Sequence, residues 1–103
     1  MVALEETQDL DRLFRALADG TRRDIVRRTL SAELTISDLA ADYAMSFAAV
    51  QKHVAVLEGA RLVRKTAVGR TRLVRGEPST LGRARTCLQE LESLWAHRIN
   101  VLD

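Results

Sequence analysis

The chain has 103 residues, a formal charge of +2 and 47% hydrophobic residues, which fits one folded domain and excludes a mainly disordered chain. No apolar run approaches the roughly 20 residues of a membrane span, and the acidic start Met1–Glu6 is unlike a signal peptide. The single cysteine, Cys87, cannot form an internal disulfide, in keeping with a reducing cytoplasm, and the expected organisation is a single domain over residues 1–103.

Periodicity predicts a first helix over residues 8–18, with Leu10, Leu13, Phe14 and Leu17 on one face. Asp19-Gly20-Thr21 breaks it, and Asp19 suits the N-cap of a second helix running through Leu30. That helix is expected to bury Ile25, Val26 and Leu30 and to display Arg22, Arg23, Arg27 and Arg28 on its other side. Thr35 and Asp38 have capping-box spacing at the start of a third helix, whose core face is Leu39, Ala40 and Tyr43. Ala44-Met45 turns the chain and Ser46 caps a fourth helix. In it Val50, Val54 and Leu57 point inward, so Phe47, Ala48, Gln51, Lys52 and Ala55 point outward. Two strands follow, turning near Val68-Gly69-Arg70. Gly76 and Pro78 end the hairpin, and a last helix runs from about Ser79 to Val101.

Charge is unevenly placed along these elements. Residues 46–85 hold nine basic residues against Glu58 and Glu77, while both flanking segments are net acidic. Positive charge concentrated on a helix-turn-helix and its hairpin points to a polyanion. The expected fold class is therefore mainly α with a small β-hairpin, a winged helix-turn-helix of five helices and a two-stranded wing. Its expected partner is double-stranded DNA.

The outward surface of the fourth helix is small and polar, as a helix entering a major groove requires. Gln51 can pair with an adenine edge, and Lys52 can reach a guanine or a phosphate. Ser46 and the free amides at the helix start can hold a phosphate. Ala48 lets the backbone approach the bases. Phe47 either meets a thymine methyl or packs back on Tyr43. His53, next to the inward Val54, is either a partly buried packing residue or a phosphate contact. Arg64, Lys65, Arg70 and Arg72 on the hairpin suit phosphates or a minor groove.

In the last helix Leu81, Ala84, Leu88, Leu91, Trp95 and Leu102 keep alternating spacings of three and four, interrupted at Arg98, with Leu94, Ile99 and Val101 beside them. This is more apolar surface than one small domain needs, so a homodimer is expected, with Leu10, Leu13, Leu88, Leu91 and Trp95 as interface candidates.

No Ser/His/Asp set, paired-carboxylate pattern, phosphate loop or His-Glu-x-x-His is present, so enzyme chemistry is not expected. No cofactor and no metal site is expected either. Cys87 and His97 lie ten residues apart, too far along one helix to share an ion. Two other readings compete with the DNA-binding one. One is a winged helix used as a protein-interaction module, and the other is a metal- or thiol-responsive repressor using Cys87.

Leu17-Ala18-Asp19-Gly20-Thr21-Arg22-Arg23-Asp24-Ile25, Ile36–Ala40, Ala49–Leu57 and Gly69-Arg70 together resemble the ArsR/SmtB family of winged-helix repressors. The resemblance implies a homodimeric bacterial repressor on an inverted repeat, paired through its first and last helices. Gly20 stands where the family usually has proline, Gln51 where it has serine, and Arg61 where a glycine often ends the helix. Thr35 and Ser37 stand at the two metal-sensing cysteines, and hydroxyls cannot replace thiolates for such metals. With Leu94–Ile99 this resembles the subgroup that lacks both metal sites. An inducer, if one exists, is left as an unidentified small molecule.

Overall fold

The computed structural model describes residues 4–102. In chain order the elements are α1 (Leu4–Leu17), α2 (Gly20–Ser31), α3 (Ile36–Ala40), α4 (Phe47–Gly59), β1 (Val63–Val68), β2 (Thr71–Gly76) and α5 (Pro78–Leu102).

The helix starts are set by side chains that accept from otherwise unsatisfied amides. Asp19 accepts from the Arg22 amide at 3.0 Å, and that bond holds its carboxyl below the usual carboxylate range. Thr35 and Asp38 form a reciprocal capping box, with both bonds at 2.9 Å. Ser46 accepts from the Ala49 amide at 3.1 Å. Helix α1 begins four residues before the predicted start. Glu5 and Glu6 in its first turn complement the helix dipole, a signal that apolar periodicity does not register.

The hairpin pairs Val63 with Gly76 through Val68 with Thr71, leaving the two-residue loop Gly69-Arg70. Gly69 has φ 61°, a first loop position that glycine occupies without strain. The wing is tied to the body by Leu34, which exchanges two backbone bonds with Val74 (3.1 and 2.7 Å) just before α3 begins.

One core joins the helices to the hairpin. Leu13, Ile25, Leu39, Val50, Val54, Leu57, Leu62 and Val74 are its fully buried large side chains. Two expectations are corrected here. Leu13 is 1% exposed and fills its own protomer's core, so it has no surface for a partner. Leu30 is 42% exposed; it lies against Gly76 at the end of the hairpin, where a Cβ would come within 2.8 Å of its side chain, and not inside the core. Tyr43 sits beyond the five-residue α3, half-buried against the core from the connecting turn.

Helix α5 packs on α1 only at its beginning. Ala84 is its last buried residue, and from Arg85 to Asn100 all residues but the half-buried Cys87 are exposed. The outer part of α5 therefore projects roughly 25 Å at 1.5 Å per residue. The side chains of Leu102, assigned by periodicity to the apolar stripe, and of Val101 beside it lie outside the described residues.

Helix α4 ends in a Schellman motif. The Leu62 amide donates to the Leu57 carbonyl at 2.9 Å and the Arg61 amide to Glu58 at 3.0 Å. Arg61 itself adopts φ 61°. The helix thus ends as it would with glycine there, and the side chain bears the conformational cost. Replacing Arg61 with Gly should raise unfolding free energy by about 1 kcal/mol or less, since relief of left-handed strain is partly offset by a freer unfolded chain. Urea denaturation checks this; a clear loss of stability would contradict the account of the turn.

Candidate nucleic-acid interface

The exposed face of α4 follows from its buried one. Val50, Val54 and Leu57 are all fully buried, which turns Ala48, Gln51, Lys52 and Ala55 outward. Gln51 and Lys52 have no side-chain hydrogen bond or ion pair among the described residues, so their polar groups are free for a ligand. Ser46 is exposed at the helix start, and Phe47 beside it is 47% exposed.

His53 is half-buried, and its Nδ1 lies 3.5 Å from Arg22 Nη1. Arginine can only donate, so this contact is a hydrogen bond only in the tautomer whose Nδ1 accepts. The same Arg22 donates to the carbonyls of Ala16 (2.7 Å) and Arg15 (3.0 Å), closing the end of α1. Arg23 does the same for Leu17 at 2.8 Å. Two of the arginines expected to be displayed on α2 are therefore engaged within the fold.

A third, Arg28, orients the turn before α4. Its guanidinium lies over the Tyr43 ring, 5.4 Å from the centroid, and donates to Asp42 at 2.7 Å. The Tyr43 hydroxyl donates to Asp24 at 2.6 Å. Burial pushes the phenol above its usual pKa, and the Asp24 carboxylate adds to the effect. Sequence reasoning missed this clamp. Its signal was a tyrosine in a turn and an Asp/Arg pair one helical turn apart, which is too common to single out.

The wing cations divide into two groups. Arg64 pairs with Glu77 at 3.0 Å and Lys65 with Glu58 at 3.6 Å, both at the base of the hairpin. Arg75 approaches Glu33 at 3.7 Å. Arg70 and Arg72, at and beside the tip, are exposed and have no ion pair among the described residues. Within the wing, the uncommitted cations are thus those at its tip.

Of the remaining candidates, Leu88, Leu91 and Trp95 are 55%, 60% and 60% exposed on the projecting part of α5, and Leu10 is half-buried on α1. Cys87 is half-buried in a cleft with Glu6, Leu10 and Glu90. Among the described residues no three His, Cys, Asp or Glu side chains converge as metal ligands. The Thr35 hydroxyl is engaged as the α3 cap.

A helix-turn-helix with an open polar face and a cationic wing defines a winged-helix DNA-binding transcriptional regulator. Residues 19–65 match the family described as "Bacterial regulatory protein, arsR family". The chain is 39% identical over 89 residues to HTH-type transcriptional regulator Rv2034 of Mycobacterium tuberculosis, covering 86% of this chain and 80% of that one. It therefore belongs to the ArsR family of bacterial regulators and is not an enzyme. Its fold is similar to an ArsR-like transcriptional regulator from Rhodococcus sp. RHA1, with TM-score 0.84, 27% identity and coverage of 96% and 93% of the two chains. It also shares the fold of the homodimeric winged helix-turn-helix domain Mb0332 from Mycobacterium bovis, with TM-score 0.68, 20% identity and coverage of 84% and 81%.

The division of the wing gives a graded expectation. Replacing Arg70 or Arg72 with Gln should weaken binding to all duplexes and lower the slope of log affinity against log salt by about one unit each. Replacing Arg64 or Lys65 should change the slope less, because a phosphate must first displace Glu77 or Glu58. Fluorescence anisotropy at several salt concentrations checks this; equal effects at all four positions would contradict it.

Proposed function

We propose that the protein is a homodimeric transcriptional repressor that binds an inverted-repeat operator, placing α4 of each protomer in a major groove. The observation that carries this reading is the open face of α4, where Gln51 and Lys52 stand unengaged beside small residues and the free cations Arg70 and Arg72. Ser46 and Ala48 sit at the backbone-approaching end of that face, and Phe47 is exposed enough to meet a thymine methyl. His53, half-buried beside Arg22, can turn a ring nitrogen to a phosphate.

The exposed Leu88, Leu91, Leu94 and Trp95 support pairing through α5, with Leu10 at the edge of the seam. Burying a large apolar side chain stabilises by about 1.5–3 kcal/mol, so four of them leave a strong drive to associate. The homodimeric state of the Mycobacterium bovis domain agrees with this. Operator binding needs no metal, since Thr35 and Ser37 replace the family's thiolates and Cys87 and His97 lie ten residues apart on one helix. Work in the cytoplasm fits the lone thiol.

Selection from a random duplex pool should return an inverted repeat whose half-sites are spaced by about one helical turn. Gln51→Ala should relax the selected base at one position in each half-site, at about 1–3 kcal/mol. Sedimentation equilibrium at micromolar concentration should show a dimer, and stoichiometric zinc or cadmium should leave affinity unchanged. An unchanged consensus for Gln51→Ala, a monomer, or a tenfold metal-dependent loss of affinity would each refute the corresponding part.

A further inference from the structure

We propose that the cleft between the base of the wing and the start of α5 is a binding site for a small dianion, a phosphomonoester or a dicarboxylate. The cleft has a volume of about 430 Å³, within the range of small-molecule sites. Four cations line it, Arg61, Arg64, Lys65 and Arg83, against the two carboxylates Glu58 and Glu77. Each carboxylate already holds a hairpin cation, Glu77 with Arg64 at 3.0 Å and Glu58 with Lys65 at 3.6 Å. Two guanidinium groups remain. Arg61 has no side-chain partner among the described residues, and Arg83 makes only a 3.9 Å approach to Asp9.

Arg61, which is free, and Arg83, held only loosely by Asp9, match a ligand of charge −2, because the planar fork binds carboxylate or phosphate oxygens in pairs. The position of Arg61 is defined by its backbone. The Thr80 hydroxyl, on a buried residue of α5, donates to the Arg61 carbonyl at 2.5 Å and fixes the turn that carries the side chain. Duplex DNA is not the occupant. Arg61 follows the C-terminal end of α4, while Ser46 caps the opposite end, roughly 20 Å away at 1.5 Å per residue.

The site joins β1 of the wing to α5, so an anion held there adds negative charge behind the DNA-facing hairpin. Its occupancy weakens operator binding, and by reciprocity DNA weakens the anion to the same degree. This coupling rests on the DNA-binding reading above. The site itself does not, because binding is measured on the free protein.

The test is titration calorimetry of the full chain with inorganic phosphate and, separately, with succinate, at ionic strength held constant with sodium chloride. At least one anion should saturate with a Kd below about 1 mM, and the two arms distinguish phosphate from dicarboxylate. Arg61→Gly, which relieves strain and so folds, and Arg83→Gln should each weaken it about tenfold, or about 1.4 kcal/mol. Arg70→Gln, on the wing tip, should not. No saturation below about 10 mM, unchanged binding in both cleft variants, or an equal loss in Arg70→Gln would overturn the assignment. A duplex competition arm tests the coupling alone: displacement of the anion supports it, and simultaneous independent binding refutes it while leaving the site intact.

Discussion

The rotational phase of α4 is the constraint on which the rest of the molecule depends. Val50, Val54 and Leu57 recur at helical spacing and are wholly buried. Each stabilises by about 1.5–3 kcal/mol when removed from water, so rotating the helix by one residue would forfeit several kcal/mol and bury Gln51 or Lys52 unpaired. The face presented to solvent is therefore as firmly specified as the one presented to the core. The entry to α4 is held just as closely. Ser46 caps it, and the turn before it is clamped through Tyr43 by Asp24 and Arg28 from α2. The network is not perfectly satisfied, since Arg28 Nη1 is buried without a hydrogen-bond partner.

Around that helix the fold sorts its many arginines. On α2, Arg22 and Arg23 close the end of α1, Arg28 grips the turn and Arg27 pairs with Asp24; Arg64 at the base of the wing pairs with Glu77, and Arg70 and Arg72 at its tip are left free. An exposed ion pair contributes only about 0–1 kcal/mol, so this sorting matters less for stability than for where uncompensated positive charge appears. Among the described residues, cations without an ion pair include Lys52 on α4, Arg70 and Arg72 at the wing tip and Arg61 in the cleft behind the wing. The projecting α5 carries the other conspicuous feature, an apolar stripe that its own protomer leaves uncovered.

Much of this was legible in the sequence because it is local. The caps Asp19, Thr35 with Asp38, and Ser46 act over three residues, and the Gly69-Arg70 loop follows from glycine's freedom at φ 61°. The inward set of α4 follows from a single period. What escaped depends on contacts across the chain. The link from Arg22 to His53 spans 31 residues and that from Tyr43 to Asp24 spans 19, and no spacing rule joins them. Periodicity gives a helix a face but not the neighbour of each residue on it. For this reason Leu13 was expected at an interface and lies in the core, while Leu30 was expected in the core and lies at the surface. The engagement of Arg64 and Lys65 was hidden likewise, since Glu77 and Glu58 reach them only once α5 and the end of α4 flank the hairpin.

The central claim is that one surface, the outward face of α4 with the wing tip, meets DNA. The most direct measurement is titration of the 15N-labelled protein with a short duplex, followed amide by amide. The account predicts that resonances from Ser46 to Ala55 and from Gly69 to Arg72 shift together with the added duplex, while those of α5 beyond Ala84 do not. Shifts confined to α5 or to the exposed side of α1, with α4 and the wing tip unmoved, would contradict it.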